Sequence, residues 1–181
     1  MKTRTIVEYV VITAGAIALA LLIQAFVVKP YRIPSGSMEN TLLIGDRVLV
    51  NRIVYHTRDP HRGDIVVFNS KAKGVTLIKR VIALPGDTIS LRDGRVYIDG
   101  EVLDEPYVRH INGSLEPTYP FTSGEPWSLQ HPYTLGPNDY FMMGDNRTDS
   151  GDSRDWGPMH RSEVVGEAFF MYWPPTRIRI L

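Results

Sequence analysis

The sequence predicts a mostly β, folded-sheet or barrel-like domain with an irregular insertion, preceded by one N-terminal transmembrane helix. Three observations predict it. Residues 9–28 carry no charged side chain. Beyond them, β-type runs recur between Gly- and Pro-rich turns, and no amphipathic helical period of useful length appears.

The apolar run comes first. Residues 1–28 hold only Lys2, Arg4 and Glu8 among charged residues. Twenty uncharged residues rich in Ala, Ile, Leu and Val span about 30 Å as a helix, the thickness of a bilayer's hydrocarbon core. A cleaved leader would have a shorter apolar stretch, followed by its cleavage site. Here the small-x-small triplets Ala14-Gly15-Ala16 and Ala18-Leu19-Ala20 lie inside the run. A buried core helix would normally show a polar stripe, which is missing. Residues 1–29 therefore read as a stub and uncleaved anchor, and residues 30–181 as the β-rich domain. Lys2 and Arg4 before the span are balanced by Lys29, Arg32 and Arg47 after it, so charge leaves the orientation open.

The domain opens on an extended, Pro-punctuated stretch from Lys29 to Pro34. The β-type runs are Arg47–Val54, Asp64–Phe68, Val75–Ala83, Thr88–Arg92, Arg95–Asp99, Tyr140–Met143, Val164–Trp173 and Arg177–Leu181. Asp93-Gly94 is a two-residue hairpin signal, and Asp99-Gly100 marks a second turn. Residues 104–138 carry six of the 13 prolines and no sustained period, so they read as the insertion.

Composition excludes several function classes. Twenty basic and 20 acidic residues leave no electrostatic footprint for nucleic acid. With no cysteine there is no disulfide scaffold, thiolate metal site, cysteine nucleophile or lipidated-cysteine anchor.

Three segments carry candidate chemistry. In Pro34-Ser35-Gly36-Ser37-Met38, a glycine between two serines lets the chain turn and present Ser37. A serine nucleophile needs a base, and none of the five histidines sits in a motif. In Val75–Ala83, strand alternation puts Lys79 on the face of Val75, Leu77, Val81 and Ala83. Such a lysine either snorkels to solvent or is buried, and burial would lower its pKa enough to make it a general base. The loop Gly144–Gly157 holds four acids, but Arg147 and Trp156 occupy positions where a calcium loop needs oxygen ligands, so no metal is expected. It reads as a structural loop in which Asp145, Asp152 and Arg154 pair with one another and with backbone groups, and in which Ser150 offers a hydroxyl.

The order and spacing of these pieces resemble the type I signal (leader) peptidases of bacteria. The likeness runs through the apolar N-terminus, the Ile33-Pro-Ser-Gly-Ser-Met38 box with Thr41-Leu42 and Gly45-Asp46, Gly63–Phe68, Lys79–Asp87 and Gly144–Gly157. It implies a Ser–Lys serine endopeptidase with Ser37 as nucleophile and Lys79 as general base. It further implies Ser35 and the Ser37 N–H as oxyanion donors, Ser150 as a hydrogen-bond partner of the lysine amine, and Asp152 with Arg154 as a supporting pair. Arg80 and Asp145 look structural. Pockets for small side chains would map to Ile33, Pro34, Met38, Leu42, Leu77 and Ile78. No cofactor is implied. The implied partners are signal peptides of exported preproteins, the lipid bilayer and, transiently, the export machinery. The implied setting is the bacterial cytoplasmic membrane, crossed once, with a cytoplasmic N-terminus and an extracytoplasmic catalytic domain. One departure stands out: Asn40 occupies a position where the family usually has proline. Two other classes compete. A self-cleaving repressor with the same dyad would carry a DNA-binding module instead of an apolar N-terminus. A non-enzymatic envelope-binding β-domain would give no reason for the ordered boxes.

Overall fold

The computed structural model describes residues 2–111 and 113–181, with side chains except those of residues 2–4 and 22–26. The chain begins with helix α1 (Lys2–Phe26), whose described side chains, Thr5 to Leu21, are all exposed. Among the described residues no helix is long and apolar enough to cross a membrane. The apolar run Tyr9–Val28 extends into residues 22–26, whose side chains lie outside those described. The helix stops short of the run's end, and Val28 already opens a strand. Pro30 explains this, since it has no N–H to donate and biases the residue before it towards extended backbone.

Strands β1 (Val28–Arg32), β2 (Arg47–Asn51), β3 (Ile65–Ser70) and β4 (Val75–Ala83) follow the helix. A meander of β5 (Thr88–Arg92), β6 (Arg95–Ile98) and β7 (Glu101–Val102) comes next. The insertion contributes the short strands β8 (His110–Ile111), β9 (Ser114–Leu115) and β10 (Tyr133–Thr134). Strands β11 (Asp139–Met143), β12 (Met159–His160), β13 (Val164–Trp173) and β14 (Arg179–Ile180) complete the domain, with a one-turn helix α2 (Ser153–Trp156) between β11 and β12. The expected runs Val75–Ala83, Thr88–Arg92 and Val164–Trp173 form strands over those same bounds. Asp93 and Gly94 both take positive φ (50° and 74°), as a two-residue hairpin demands.

The main sheet has eight strands in the order β1-β2-β13-β3-β4-β11-β12, with β14 added to β13. Every pairing in it is antiparallel. A second sheet, β10-β5-β6-β7, packs through Ile89, Val96 and Ile98 onto Ile82, Phe141 and Met143. Strand β4 serves the whole interior. Ile78 packs against the cluster of Ile33, Met38, Leu42 and Val67, Val81 joins Val66, Phe68 and Met142, and Ile82 joins the second sheet. Each large apolar side chain so buried stabilises the fold by about 1.5–3 kcal/mol.

Among the described residues, the open strand edges include those of β1 and β4, and β1 is bonded only to β2. Strand β11 pairs with β4 only from Arg80 to Ala83, so among the described residues Val75–Lys79 has no partner on that side.

Candidate active site

Ser35 is extended (φ −137°, ψ 162°), and Gly36–Met38 then form one 3-10 turn closed by Glu39 N–H donating to Gly36 O at 2.9 Å. Met38 is fully buried, so the turn is pinned by its apolar side chain while Ser37 stays half-exposed. The chain turns at Gly36 and presents Ser37, as expected, without a positive φ there, and a Cβ on Gly36 would meet the flexible Glu39 side chain, with its carboxylate oxygen 2.7 Å away. After the turn, Asn40 takes φ 90°, and Thr41 N–H donates to Met38 O at 3.1 Å. This is the third position of a type II turn, which Asn tolerates and Pro, locked near −65°, does not. Asn40 Nδ2 also donates to Tyr107 O at 2.9 Å, tying the turn to the insertion.

Lys79 is 3% exposed. Its Nζ donates to Ser37 Oγ at 2.5 Å, and Ser35 Oγ lies 3.5 Å from the same oxygen. Burial pulls the amine down from the ordinary lysine range to about 8, against the opposing pull of Asp152 and Asp145. Of the two readings open in the sequence, the buried one holds.

The Gly144–Gly157 loop closes over this pair. Asn146 N–H donates to Ser37 O at 3.2 Å, and Asn146 Nδ2 donates to Gly36 O at 3.2 Å. Gly144 is the glycine that matters here. A Cβ on it would lie 2.3 Å from both Ser37 O and Ser150 Oγ. Ser150 is thereby placed beside the nucleophile's backbone, yet its buried Oγ makes no hydrogen bond in this structure, with Lys79 or any other group. The implied Ser150–Lys79 bond is thus not formed with the amine turned to Ser37.

Asp152 and Arg154 pair as expected, with Arg154 Nε to Oδ1 at 2.9 Å and a second guanidinium nitrogen to Oδ2 at 2.8 Å. Asp152 also accepts from Gly144 N–H at 3.2 Å and caps α2 by accepting from Arg154 N–H. Asp145 departs from the expectation that it pairs within its own loop. Its partner is Arg80, at 2.8 and 2.6 Å, because strand alternation turns Arg80 away from the Lys79 face.

Of the six apolar positions, Ile33, Met38, Leu42 and Ile78 share one cluster. Pro34 is exposed, and Leu77 packs with Val66 and Phe68 instead. Consecutive strand residues face opposite ways, so Leu77 and Ile78 belong to different clusters.

Sequence reasoning missed the insertion's part in the site. Buried Glu105 pairs with Arg147, whose Nε donates to Gly144 O at 3.0 Å. Buried Glu116 accepts from Arg147 N–H at 2.9 Å, and Tyr119 O accepts from Arg154 at 3.0 Å. Residues 104–138 therefore hold the loop over the nucleophile. Nothing in their local sequence marks them for this, since a carboxylate's partner thirty or more positions away leaves no pattern.

A half-exposed hydroxyl in hydrogen-bond contact with a buried amine, on a β frame with open strand edges, is the equipment of a hydrolase. Fold and site together define the class as serine peptidase. The chain matches the family model described as signal peptidase, peptidase S26, over residues 6–173, and it belongs to that family. It is 40% identical over 172 residues to the probable signal peptidase I-2 of Synechocystis, covering 92% of this chain and 72% of that one. It is 36% identical over 179 residues to the signal peptidase I of Bacillus licheniformis, covering 98% and 94%. A crystal structure of a signal peptidase I from Enterococcus faecalis V583 is similar with TM-score 0.51 and 36% identity, covering 61% of this chain and 97% of that one.

Proposed function

We propose that this chain is a membrane-anchored endopeptidase that removes N-terminal signal peptides from exported preproteins, cutting after small residues in Ala-x-Ala-like sites. The observation that carries this reading is the 2.5 Å contact between buried Lys79 Nζ and Ser37 Oγ. With its pKa near 8, the amine is neutral in roughly one molecule in ten at pH 7, about 300-fold more often than an ordinary lysine.

Neutral Lys79 accepts the Ser37 hydroxyl proton as Oγ attacks the scissile carbonyl. The Ser35 hydroxyl and Ser37 N–H donate to the developing oxyanion, a donor of this type contributing about 3 kcal/mol. The C–N bond breaks, Lys79 returns the proton to the leaving amine, and an acyl-enzyme remains on Ser37. Lys79 then deprotonates a water, which releases the signal peptide's new carboxyl end and restores Ser37. Ser150 Oγ is the partner that receives the amine when it turns from Ser37 during this cycle. The substrate enters as an extended strand between the open edge of β1 and the unpaired Val75–Lys79 segment of β4. Ile33, Met38, Leu42 and Ile78 back the small-residue pockets, with Pro34 at the rim and Leu77 beneath.

Helix α1 serves as the anchor, residues 1–29 in all, with its N-terminus cytoplasmic and residues 30–181 on the extracytoplasmic side of the bacterial cytoplasmic membrane. Holding the domain at the bilayer raises its effective concentration towards membrane-held precursors and their export machinery. The test is to incubate the full chain in detergent with a secretory precursor and sequence the new N-terminus. Cleavage after an Ala-x-Ala-like site is expected, and it should be abolished in a folded Ser37→Ala variant. An active Ser37→Ala enzyme would overturn the assignment.

A further inference from the structure

Resting on the reading above, we propose that Asn146 is the positioning residue of the oxyanion donor: its side chain fixes the Gly36–Ser37 peptide so that the Ser37 N–H faces the carbonyl oxygen under attack. A peptide group is planar, with its C=O and N–H pointing opposite ways. Whatever holds Gly36 O therefore also aims the Ser37 N–H, which belongs to the same peptide. Gly36 O accepts from Glu39 N–H at 2.9 Å within the turn, and from Asn146 Nδ2 at 3.2 Å across 110 positions of sequence. The Asn146 N–H takes the next carbonyl, Ser37 O, at 3.2 Å. One residue thus grips both peptide planes that flank the Ser37 Cα, and with them the direction of the Cα–Cβ bond that carries Oγ to Lys79.

Asn146 is itself firmly held. It is 2% exposed, and its neighbours in the loop are anchored on both sides. Asp145 is bound by Arg80 at 2.8 and 2.6 Å. Arg147 pairs with Glu105, reaches Gly144 O at 3.0 Å and donates its N–H to Glu116 at 2.9 Å. The orientation of the Asn146 amide follows from the bond it makes. Turned over, it would set Oδ1 against Gly36 O, two acceptors with no hydrogen between them. As it stands, the buried Oδ1 accepts no hydrogen bond among the described residues. A buried amide that served stability alone would use both ends, because an unpaired polar atom offsets much of what the other bond contributes. Asn146 keeps the donor that faces the nucleophile turn and leaves its acceptor unmet. Its side chain therefore adds little to folding, and its effect falls on the geometry of the Ser37 peptide.

The experiment compares the full wild-type chain with Asn146→Leu and Asn146→Ala in detergent. The probes are a peptide with one Ala-x-Ala site, the matching peptide aldehyde and the matching peptide alcohol. Leucine keeps the branched outline of asparagine and removes the side-chain donor and acceptor, while the backbone bond to Ser37 O is available in both variants. Ser37 Oγ adds to the aldehyde carbon as its proton passes to Lys79, and the carbonyl oxygen becomes the oxyanion. The alcohol binds without forming one. Loss of a whole oxyanion donor lowers kcat about 100- to 1,000-fold, so a misaimed donor should lower it about 10- to 100-fold. The aldehyde's Ki should rise by a similar factor, while KM and the alcohol's Ki stay within about threefold, because only transition-state contacts are lost. In Asn146→Leu the Tm should stay the same or rise, and the acid limb of the kcat/KM profile, set by Lys79, should stay near pH 8. Wild-type kcat, aldehyde and alcohol affinities falling together, a displaced acid limb, or a lowered Tm or failure to fold in both variants would each overturn the proposal while leaving the peptidase reading in place. If the wild-type chain cuts no peptide at the Ala-x-Ala site, both fall.

Discussion

Replacing Lys79 with methionine should abolish peptide cleavage and, at the same time, make the protein more stable at neutral pH. Lys79 is 3% exposed, and desolvation is the chief cause of its lowered pKa of about 8. In the unfolded chain the amine titrates at the ordinary value of 10.5. Between these two values the unfolded state binds more protons than the folded one, so stability rises with pH across that window. Below pH 8 the folded protein carries the full cost of holding this lysine, and above 10.5 both states are neutral and the cost is gone. A difference of some 2.5 pH units corresponds to about 3 kcal/mol. Methionine has nearly the length of lysine and no charge, so it relieves that cost while filling the same space. It forfeits one hydrogen bond with Ser37, worth about 1 kcal/mol. The net expectation at pH 7 is a gain of about 2 kcal/mol, or a rise in Tm of about 4–8 °C for a chain of this size.

The assay is thermal unfolding of wild type and Lys79→Met in the same detergent at pH 7 and pH 10.5. The stabilisation should be large at pH 7 and nearly absent at pH 10.5. Equal gains at the two pH values would show that packing, not titration, is responsible. A loss of stability at pH 7 would refute the claim that this lysine is held at an energetic cost.

Two further substitutions probe the loop over the nucleophile. Gly144→Ala puts a methyl group 2.3 Å from Ser37 O and Ser150 Oγ, so turnover should fall at least 100-fold with a stability loss of about 1–3 kcal/mol. Wild-type kcat in that variant would show that the close approach is not needed. Ser150→Ala removes a buried hydroxyl that has no partner, so Tm should stay the same or rise while kcat falls about 10- to 100-fold. A drop in Tm with kcat unchanged would make Ser150 a structural residue only.

Strand elements were legible in the sequence where one face is buried and the turns have their own chemistry. Val75–Ala83 and Thr88–Arg92 keep their expected bounds because Pro85-Gly86 and Asp93-Gly94 close them. Arg177–Leu181 was less legible. Pro174 and Pro175 carry the chain through a 3-10 turn first, and only Arg179–Ile180 pair with β13. The residues meeting at the site were readable as chemical types, with Ser37 and Lys79 42 positions apart. Their support was not. Glu105 and Glu116 are ordinary acids in a proline-rich stretch, and they become buried partners only because the insertion folds back over Gly144–Gly157. Gly144 was likewise silent, since what it requires is space for a carbonyl a hundred residues earlier.

The buried charges explain why the amine is the group free to exchange its proton. Arg80, Arg147 and Arg154 are all nearly inaccessible, and each is paired with a carboxylate, to Asp145, Glu105 and Asp152 in turn. Buried pairs of this kind add little net stability over apolar packing, because desolvation offsets their attraction. Their spare donors go to backbone carbonyls instead. Arg80 reaches Gly63 O, Arg147 reaches Gly144 O, and Arg154 reaches Arg147 O and Tyr119 O. Each guanidinium is permanently charged and so acts as a fixed bracket for the chain around Ser37. Lys79 sits in the same interior, and among the described residues no carboxylate lies within ion-pair distance of it. Asp152 and Asp145 already have their counter-charges and pull on the amine only from a distance, too weakly to undo the effect of burial. The carboxylates that would have fixed a proton on the lysine are engaged by arginines, and that division of partners leaves its amine poised to accept one.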